Sequence, residues 1–585
     1  MCNIEGHLTN YGLCISKKNL NKLDDSVLIT KKIRDYFTAV PELDVEDDQE
    51  IEPYELYYED ENYIALPKFA SEKKIEYITK NNIKTFITFS IKKYKYNHSK
   101  INITFKGSLR EYQDKIIDDS LKLFALKEKD PKGGILQLGC GAGKTVMAIN
   151  MACKLNLKTL IVVHKEFLQD QWIDRIKSFT DAKVGIVRQK KCEVNNDIVV
   201  GMVHSISSID YPEDTFKDFG LVIYDEVHHM GSRVFSRCLL KTSAEYTLGL
   251  SATPQRQDGM MKVVNWCVGD VIYKMKRSFD YKVFVKRINF KSTDIKFKEK
   301  KRWIKGSIRP DHSKMTENLT TIESRTKLII NIVDVLRCSG EGRKILILSS
   351  RIEHLEKIKE GVDKHIKDAE EEHIYNTYYY MGSTKKGERR LAEKDGDIIF
   401  ATLQLAEEGL DIDKLNAIIL AVPLKMEKTI EQAIGRIMRK DILEDLSQIP
   451  LVIDVADSLS IYQKWAEKRN NIYNKNGWFI QDFYFEDTNY VTRSIDNPNK
   501  NFINIMFDDL EDENFIEKNL IKKKDCKNDI NNDDINNNNL ATGTCGATGT
   551  CGEKDVNKNK KYQNNSNIIS TKQNVINNFV FGMKK

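Results

Sequence analysis

Near-continuous runs of aliphatic and β-branched residues recur between positions 101 and 280, at GILQL (134–138), TLIVV (159–163), DIVVG (197–201) and LVIYD (221–225). A strand that alternates apolar with polar residues keeps one face in water. Runs like these belong to strands buried on both faces, and the amphipathic stretches between them are the helices that cover them. The same rhythm returns at KILILSS (344–350), DIIFAT (397–402), AIILAV (417–422) and LVIDVA (451–456). The pattern predicts an α/β protein with two parallel-sheet lobes in tandem, over 101–280 and 323–480.

The flanking segments break the rhythm. Residues 1–100 join an acidic stretch, ELDVEDDQEIEPYE (42–55), to alternation over Tyr58 to Pro67 and a basic-aromatic segment, KKYKYNHSK (92–100). They are expected to form a small α/β accessory domain. Residues 281–322 read as a basic linker, in which KFKEKKRWIK (296–305) interleaves cations with an aromatic. Such a composition can touch nucleic acid but more often marks a solvated connection. Residues 481–520 form a C-terminal extension, and the asparagine- and lysine-rich stretch 521–585 is too polar to bury a core and is expected to be disordered. Inside it, ATGTCGATGTCG (541–552) is a duplicated low-complexity hexapeptide to which no function is assigned.

Composition narrows the class. A chain of 585 residues is too long for one core, and 41% hydrophobic with 30% charged residues suits a soluble globular protein. No apolar run reaches the about 18 residues that suggest a membrane helix. The opening MCNIEGHLTN lacks the basic and apolar regions of a secretory signal, so an intracellular protein without a membrane partner is expected. The 11 cysteines are scattered without a Cys-x-x-Cys pair, which points to a reducing compartment and to neither a disulfide framework nor a zinc site. With 92 basic against 86 acidic residues, the net charge of +6 permits nucleic-acid binding without arguing for it.

The candidate chemistry begins at LGCGAGKT (138–145), set between the strand GILQL and the helix VMAINMACKL. Gly139, Gly141 and Gly143, with Cys140 and Ala142 between them, let a backbone come close to phosphates and aim its N–H groups at them. Lys144 would then reach the β and γ phosphates of ATP, and the Thr145 hydroxyl would bind Mg²⁺. Leu138 stands where the strict phosphate-loop pattern has glycine, so the loop alone is also compatible with a Gly-rich turn. Asp225 and Glu226 follow the strand LVIY, at the strand end where α/β proteins place their ligands. There Asp225 would hold Mg²⁺ through water and Glu226 would orient and deprotonate the attacking water, although an isolated Asp-Glu pair is usually just solvated. Ser251 and Thr253 carry hydroxyls able to bridge that strand to the rest of the site. In the second lobe, Gly409 and Asp411 lie in a loop after a strand, and Gln432, Arg436 and Arg439, spaced by four and three, share a helix face. Two arginines presented across a cleft can neutralise transition-state charge when the lobes close.

In order, LREYQ (109–113), GCGAGKT, VVHKEFLQDQW (162–172), DEVH, SATPQRQDG, the Gly409/Asp411 loop and QAIGRIMR (432–439) resemble the motifs of the superfamily-two helicases and translocases, over roughly residues 105–480. The resemblance implies two RecA-like lobes and ATP with Mg²⁺ as cofactors. It puts Gln113 on the adenine with Arg110 beside it, couples His228 to Ser251 and Thr253, and brings His164, Lys165, Ser349, Ser350, Arg351 and Thr402 near a nucleic-acid backbone. DEVH in place of DEAD, and Gln432 where DEAD-box proteins usually have histidine, argue against the DEAD-box branch. SATPQRQDG, LREYQ and the stretch 452–478 resemble the XPB-like and UvsW-like DNA translocases, and especially the poxvirus transcript-release helicase and its relatives in large DNA viruses. The Arg-Glu-Asp tripeptide of XPB repair helicases is missing, which puts an excision-repair role in doubt. The surplus of Asn, Ile and Lys fits an AT-rich genome, that of a large virus or of an AT-rich protist; if viral, the protein would sit in the virion or host cytoplasm.

The implied activity is a nucleic-acid-stimulated ATPase moving 3′ to 5′ on DNA, in transcript release or elongation, with an RNA polymerase or transcription complex as partner. An RNA helicase, a repair or branch-migration motor, and a nucleic-acid-binding scaffold without hydrolysis are the alternatives. A restriction motor would need a nuclease, and the chain after 480 offers no convincing carboxylate-lysine cluster on a strand.

Overall fold

The computed structural model describes residues 2–9, 12–22, 25–42, 52–70, 75, 87–92, 98–126, 131–139, 142–242, 244–252, 254, 256, 258–275, 283–304, 307–338, 343–369, 373, 375–403, 405, 412, 415–425, 434, 437 and 449–487. The tail expected to be disordered lies outside them, as does most of the C-terminal extension.

The first lobe is built on an eight-stranded sheet. Its order is Lys191–Cys192, Val184–Arg188, Ile198–Met202, Thr159–Val163, Leu221–Tyr224, Tyr246–Ser251, Lys132–Gln137 and Val271–Lys274. Every neighbouring pair is parallel except the hairpin at the Lys191–Cys192 edge. Leu160, Ile161, Val162 and Val163 are wholly buried, as an apolar run covered on both faces must be. From Gln137 the chain passes through helix Lys144–Leu155 and re-enters the sheet at Thr159–Val163, leaving two strands between. The carboxyl ends of the four central strands therefore share one edge, with Gln137, Val163, Tyr224 and Ser251 as their last residues.

The second lobe has a seven-stranded sheet in the order Thr377–Tyr380, Ile398–Thr402, Lys344–Ser349, Leu415–Leu420, Leu451–Asp457, Phe284–Ser292 and Phe479–Asp487. All its pairs are parallel. The segment read as a basic linker thus contains a lobe strand, Phe284–Ser292, and Phe479–Asp487 completes the sheet beyond it. Lys286 disguises that strand in the sequence. It is fully buried, with Nζ 2.9 Å from Gln481 Oε1 and over the rings of Phe284 and Phe483. Beyond the strand, Lys301–Ile304 and Ser307–Pro310 pair as an antiparallel ribbon, followed by helix His312–Leu319. Beneath the sheet, Arg325 and Asp457 form a buried bidentate pair at 2.8 and 2.9 Å.

Residues near the N-terminus form a five-stranded sheet, in the order Tyr58–Glu59, Tyr63–Leu66, Gly12–Ser16, Cys2–Thr9 and Ile87–Lys92, together with helix Ser26–Tyr36. This unit shares a core with the first lobe. Phe37 and Tyr36 pack on Trp266, and the buried ammonium of Lys68 donates to the backbone oxygens of Ala244 and Glu245. The two lobes meet along helix Glu166–Phe179, where Lys386 pairs with Asp170 at 2.7 Å and Arg390 with Asp174 at 3.1 Å.

Candidate nucleotide and nucleic-acid site

The site grows from the shared strand edge of the first lobe. At Gly143 the backbone takes the left-handed conformation, φ 82°, immediately before helix Lys144–Leu155 begins. A side chain there would meet both a strained backbone and the Gln113 amide, whose Nε2 would lie 2.3 Å from an added Cβ. Gln113 is buried; its Nε2 donates to Ala142 O at 2.9 Å, and its Oε1 accepts from the Arg110 N–H at 2.9 Å. Tyr112 Oη adds a second bond to Ala142 O at 3.1 Å. Gln113 thus ties the segment carrying Arg110 to the glycine-rich loop. Gly139 precedes the loop and Thr145 lies in the first helical turn, while Cys140 and Gly141 fall outside the described residues.

Opposite the loop stands the acidic pair. Asp225 directly follows strand Leu221–Tyr224, and its N–H donates to Val162 O at 3.0 Å, so the neighbouring strand fixes its position. One carboxylate oxygen accepts the indole N–H of Trp172 at 2.8 Å, and the other accepts the Glu226 N–H at 3.0 Å. Burial, then the charge of Glu226, pushes the Asp225 carboxyl above its ordinary range; the Trp172 bond opposes both. Glu226 has φ 43° and ψ 54°, a left-handed conformation that costs a non-glycine residue on the order of 1–3 kcal/mol. Its Oε1 lies 3.3 Å from Lys144 Nζ, and its buried Oε2 has no hydrogen-bond partner among the described residues. Burial would raise the Glu226 carboxyl too, but the Lys144 ammonium and the His228 ring outweigh it and hold it below the usual range.

His228 Nδ1 and Ser251 Oγ are 3.1 Å apart, a contact between the acidic turn and the end of the neighbouring strand; Thr253 lies outside the described residues. Arg256 holds the same turn from outside. Its Nη1 donates to His228 O at 2.8 Å, while Asp258 grips the guanidinium at 2.9 and 2.5 Å. The N-terminal unit reaches this turn as well, through Tyr54 Oη donating to Gly231 O at 2.5 Å and the Glu42 N–H donating to Asp258 O at 3.0 Å.

Among the nucleic-acid candidates, His164 is buried with its ring 4.1 Å from that of His229, and Lys165 begins the next helix as its N-cap. In the second lobe, Ser349 and Thr402 face each other in register at the ends of adjacent parallel strands. Ser349 is wholly buried; its hydroxyl accepts the Arg351 N–H at 3.1 Å and meets His354 Nδ1 at 3.2 Å. Burial, and then the charge of Arg325, push that imidazole down to about 3, so it is neutral at physiological pH. Ser350 is exposed, and Arg351 Nη2 binds the Ser313 carbonyl at 3.0 Å and its hydroxyl at 2.8 Å. Gly409, Asp411, Gln432, Arg436 and Arg439 fall outside the described residues, although Ile434 and Ile437, beside them in the chain, are buried in the lobe core.

Sequence reasoning did not assign roles to Trp172, Arg256 or Tyr54. Trp172 and Arg256 stand inside the quoted motifs, in QDQW and SATPQRQDG, and their motif positions were the available signal. Tyr54 left none.

The donor set fits a nucleotide with a hard cation. Asp225 offers two oriented carboxylate oxygens, each with lone pairs left, Glu226 Oε2 accepts no hydrogen bond among the described residues and faces His228 Nδ1 at 3.5 Å, and Lys144 stands beside them.

A family model described as the type III restriction enzyme res subunit matches residues 106–256, and one described as the helicase conserved C-terminal domain matches residues 325–441. Over 493 residues the chain is 35% identical to a protein of Acanthamoeba polyphaga mimivirus named "Putative ATP-dependent RNA helicase", covering 83% of this chain and 88% of that one. A protein of African swine fever virus, also named a putative ATP-dependent RNA helicase, is 26% identical over 403 residues, covering 64% of this chain and 74% of its own. The crystal structure of T4 UvsW aligns with a TM-score of 0.33 at 18% identity, over 83% of this chain and 99% of that chain.

Proposed function

The chain belongs to the superfamily-two helicases of large DNA viruses, and from that premise we propose that this ATP-dependent helicase moves 3′ to 5′ along DNA during viral-type transcription, releasing transcripts or remodelling DNA on an elongating polymerase. The arrangement of Lys144, Asp225 and Glu226 at one strand edge, tied through His228 to Ser251, is the observation that carries hydrolysis. The resemblance of SATPQRQDG and LREYQ to DNA translocases supports the choice of polymer and the direction.

The pairing of Lys144 with Glu226 gives the chemistry an order. A triphosphate on the loop competes for the Lys144 ammonium. Glu226, losing the cation that holds its carboxyl low, becomes a stronger base toward water as the phosphates arrive. Thr145 and Asp225 would hold Mg²⁺, which when bound neutralises the phosphate oxygens. His228 passes the state of Glu226 to Ser251, at the end of the next strand. Arg436 and Arg439 complete the charge stabilisation from the second lobe, and closure draws phosphate contacts from both lobes along the strand.

Steady-state ATP hydrolysis tests this reading, measured without polymer and with single-stranded DNA, duplex DNA and single-stranded RNA, with Lys144→Ala as the blank. Strong stimulation by DNA and little by RNA is expected, and Glu226→Gln should slow turnover by about 10²–10⁴-fold. Hydrolysis by Glu226→Gln at the wild-type rate refutes the mechanism. An RNA helicase is the second reading, favoured by the printed names of the mimivirus and African swine fever virus relatives, and equal or better stimulation by RNA would select it.

A further inference from the structure

The antiparallel ribbon Lys301–Ile304/Ser307–Pro310 stands apart from both large sheets, paired with no other strand among the described residues. In its register Trp303 faces Ile308, and both are exposed, at 70% and 62%. Side chains alternate across a ribbon, so the next pair, Arg302 opposite Arg309, lies on the other face, while Lys301, opposite Pro310, shares the face of Trp303 and borders it with charge. An indole and an isoleucine side by side in water form an apolar patch that folding alone does not call for, and it is edged by cations.

The ribbon is also firmly mounted. The Asp311 N–H donates to Lys300 O at 2.7 Å across its base, and the Asp311 side chain caps helix His312–Leu319. Tyr462 Oη holds that helix to the second lobe, donating to His312 O and meeting Thr316 Oγ1, each at 2.8 Å. The same helix offers Ser313 to Arg351, beside the strand ends Ser349 and Thr402. A ribbon so joined moves with the second lobe, next to the loop where a nucleic-acid track is proposed.

We propose that this ribbon is a separate binding site for a single nucleic-acid strand, in which Trp303 stacks on a base, Ile308 packs against the sugar edge and Lys301, on the same face, meets a neighbouring phosphate, while Arg302 and Arg309 on the opposite face add longer-range attraction. Charge complementarity selects this occupant. A polyanion with flat apolar faces matches an indole edged by cations, and stacking tolerates any base because every base has a π-face. A stacked base would couple lobe motion to strand position. The proposal rests on the helicase reading above.

The test uses the full chain and fluorescence anisotropy of labelled strands: oligo-dT, oligo-rU, and an abasic DNA strand of equal length. Trp303→Ala should weaken binding of oligo-dT and oligo-rU about tenfold, while the abasic strand binds as it does to wild type; Trp303→Phe should restore most of the loss. Because Trp303 is exposed, the melting temperature of Trp303→Ala should match wild type. Equal binding of oligo-dT by Trp303→Ala and wild type overturns the ribbon site and leaves the helicase reading standing. An equal loss on the abasic strand also overturns it, because stacking is then not what was removed. Failure of wild type to bind any strand overturns the ribbon site and the reading beneath it together.

Discussion

Replacing Trp172 with phenylalanine asks whether the indole N–H holds the Asp225 carboxylate in its working state. The aromatic body stays in the core and the donor is lost. That donor lies 2.8 Å from Asp225 Oδ2 with both groups buried, and a hydrogen bond to a charged group of this kind contributes about 1.5–3 kcal/mol. Spread over a lobe of this size, the loss lowers the melting temperature by roughly 3–12 °C. The sign of its pH dependence follows from Asp225. Burial and Glu226 raise its folded pKa above the unfolded value, so ionising it costs stability as pH rises through that folded value. Trp172 offsets this cost only while the carboxylate is charged. The penalty of Trp172→Phe is therefore full above the raised Asp225 pKa and shrinks as pH falls through it, leaving only the packing loss, which does not depend on pH. A loosened carboxylate should also raise the Mg²⁺ concentration for half-maximal ATP hydrolysis by about 10–100-fold, the usual effect of removing a group that orients a metal ligand. Melting of wild type and variant over a pH series, with Mg²⁺ titrations of ATP turnover at neutral pH, checks both parts. A melting difference that stays constant across the series, together with an unchanged Mg²⁺ requirement, refutes the role.

Gly143→Ala should reduce ATP affinity about tenfold or more, since a left-handed alanine costs about 1–2 kcal/mol and its Cβ displaces the Gln113 amide from the loop; wild-type affinity for a fluorescent ATP analogue would contradict this. Arg325→Met should destabilise the second lobe by about 3–5 kcal/mol by leaving Asp457 charged and unpaired in the core, and adding Asp457→Leu should recover most of it. Denaturant unfolding of the three proteins decides the point, and a double variant no more stable than Arg325→Met would show that the lobe depends on the pair for more than charge compensation.

How much of this was legible depended on whether a residue's partner lay in its own segment. Apolar runs such as TLIVV disclose doubly covered strands because burial is written into every position, and a parallel sheet then fixes which strand ends converge. Lys144, Asp225, Glu226 and Ser251 could therefore be placed together from their positions at strand ends, and His228 only through the family resemblance. Phe284–Ser292 could not be recognised in the same way. Its five polar residues, Lys286, Arg287, Asn289, Lys291 and Ser292, suggest solvent, yet Lys286 is buried between the ring of Phe284 in its own strand and the Gln481 amide and Phe483 ring of a strand almost two hundred residues further on. Trp303 shows the converse: cations interleaved with an aromatic look alike in a solvated linker and in a ribbon, and only the pairing with Ile308 separates them.

The N-terminal unit carries the same lesson into function. Nothing in an acidic stretch followed by alternating tyrosines says that Tyr54 will end on Gly231 O, at the close of the turn that begins with Glu226 and His228. From the other side, Glu42 takes hold of Asp258, whose carboxylate grips the arginine that binds the His228 carbonyl. Both contacts join backbone groups to residues far apart in sequence, and backbone acceptors leave no mark on composition. The turn that holds the candidate base is thus braced by an accessory unit as well as by its own lobe. The strained backbone of Glu226 needs such bracing, because a left-handed glutamate persists only where its surroundings leave it no easier conformation.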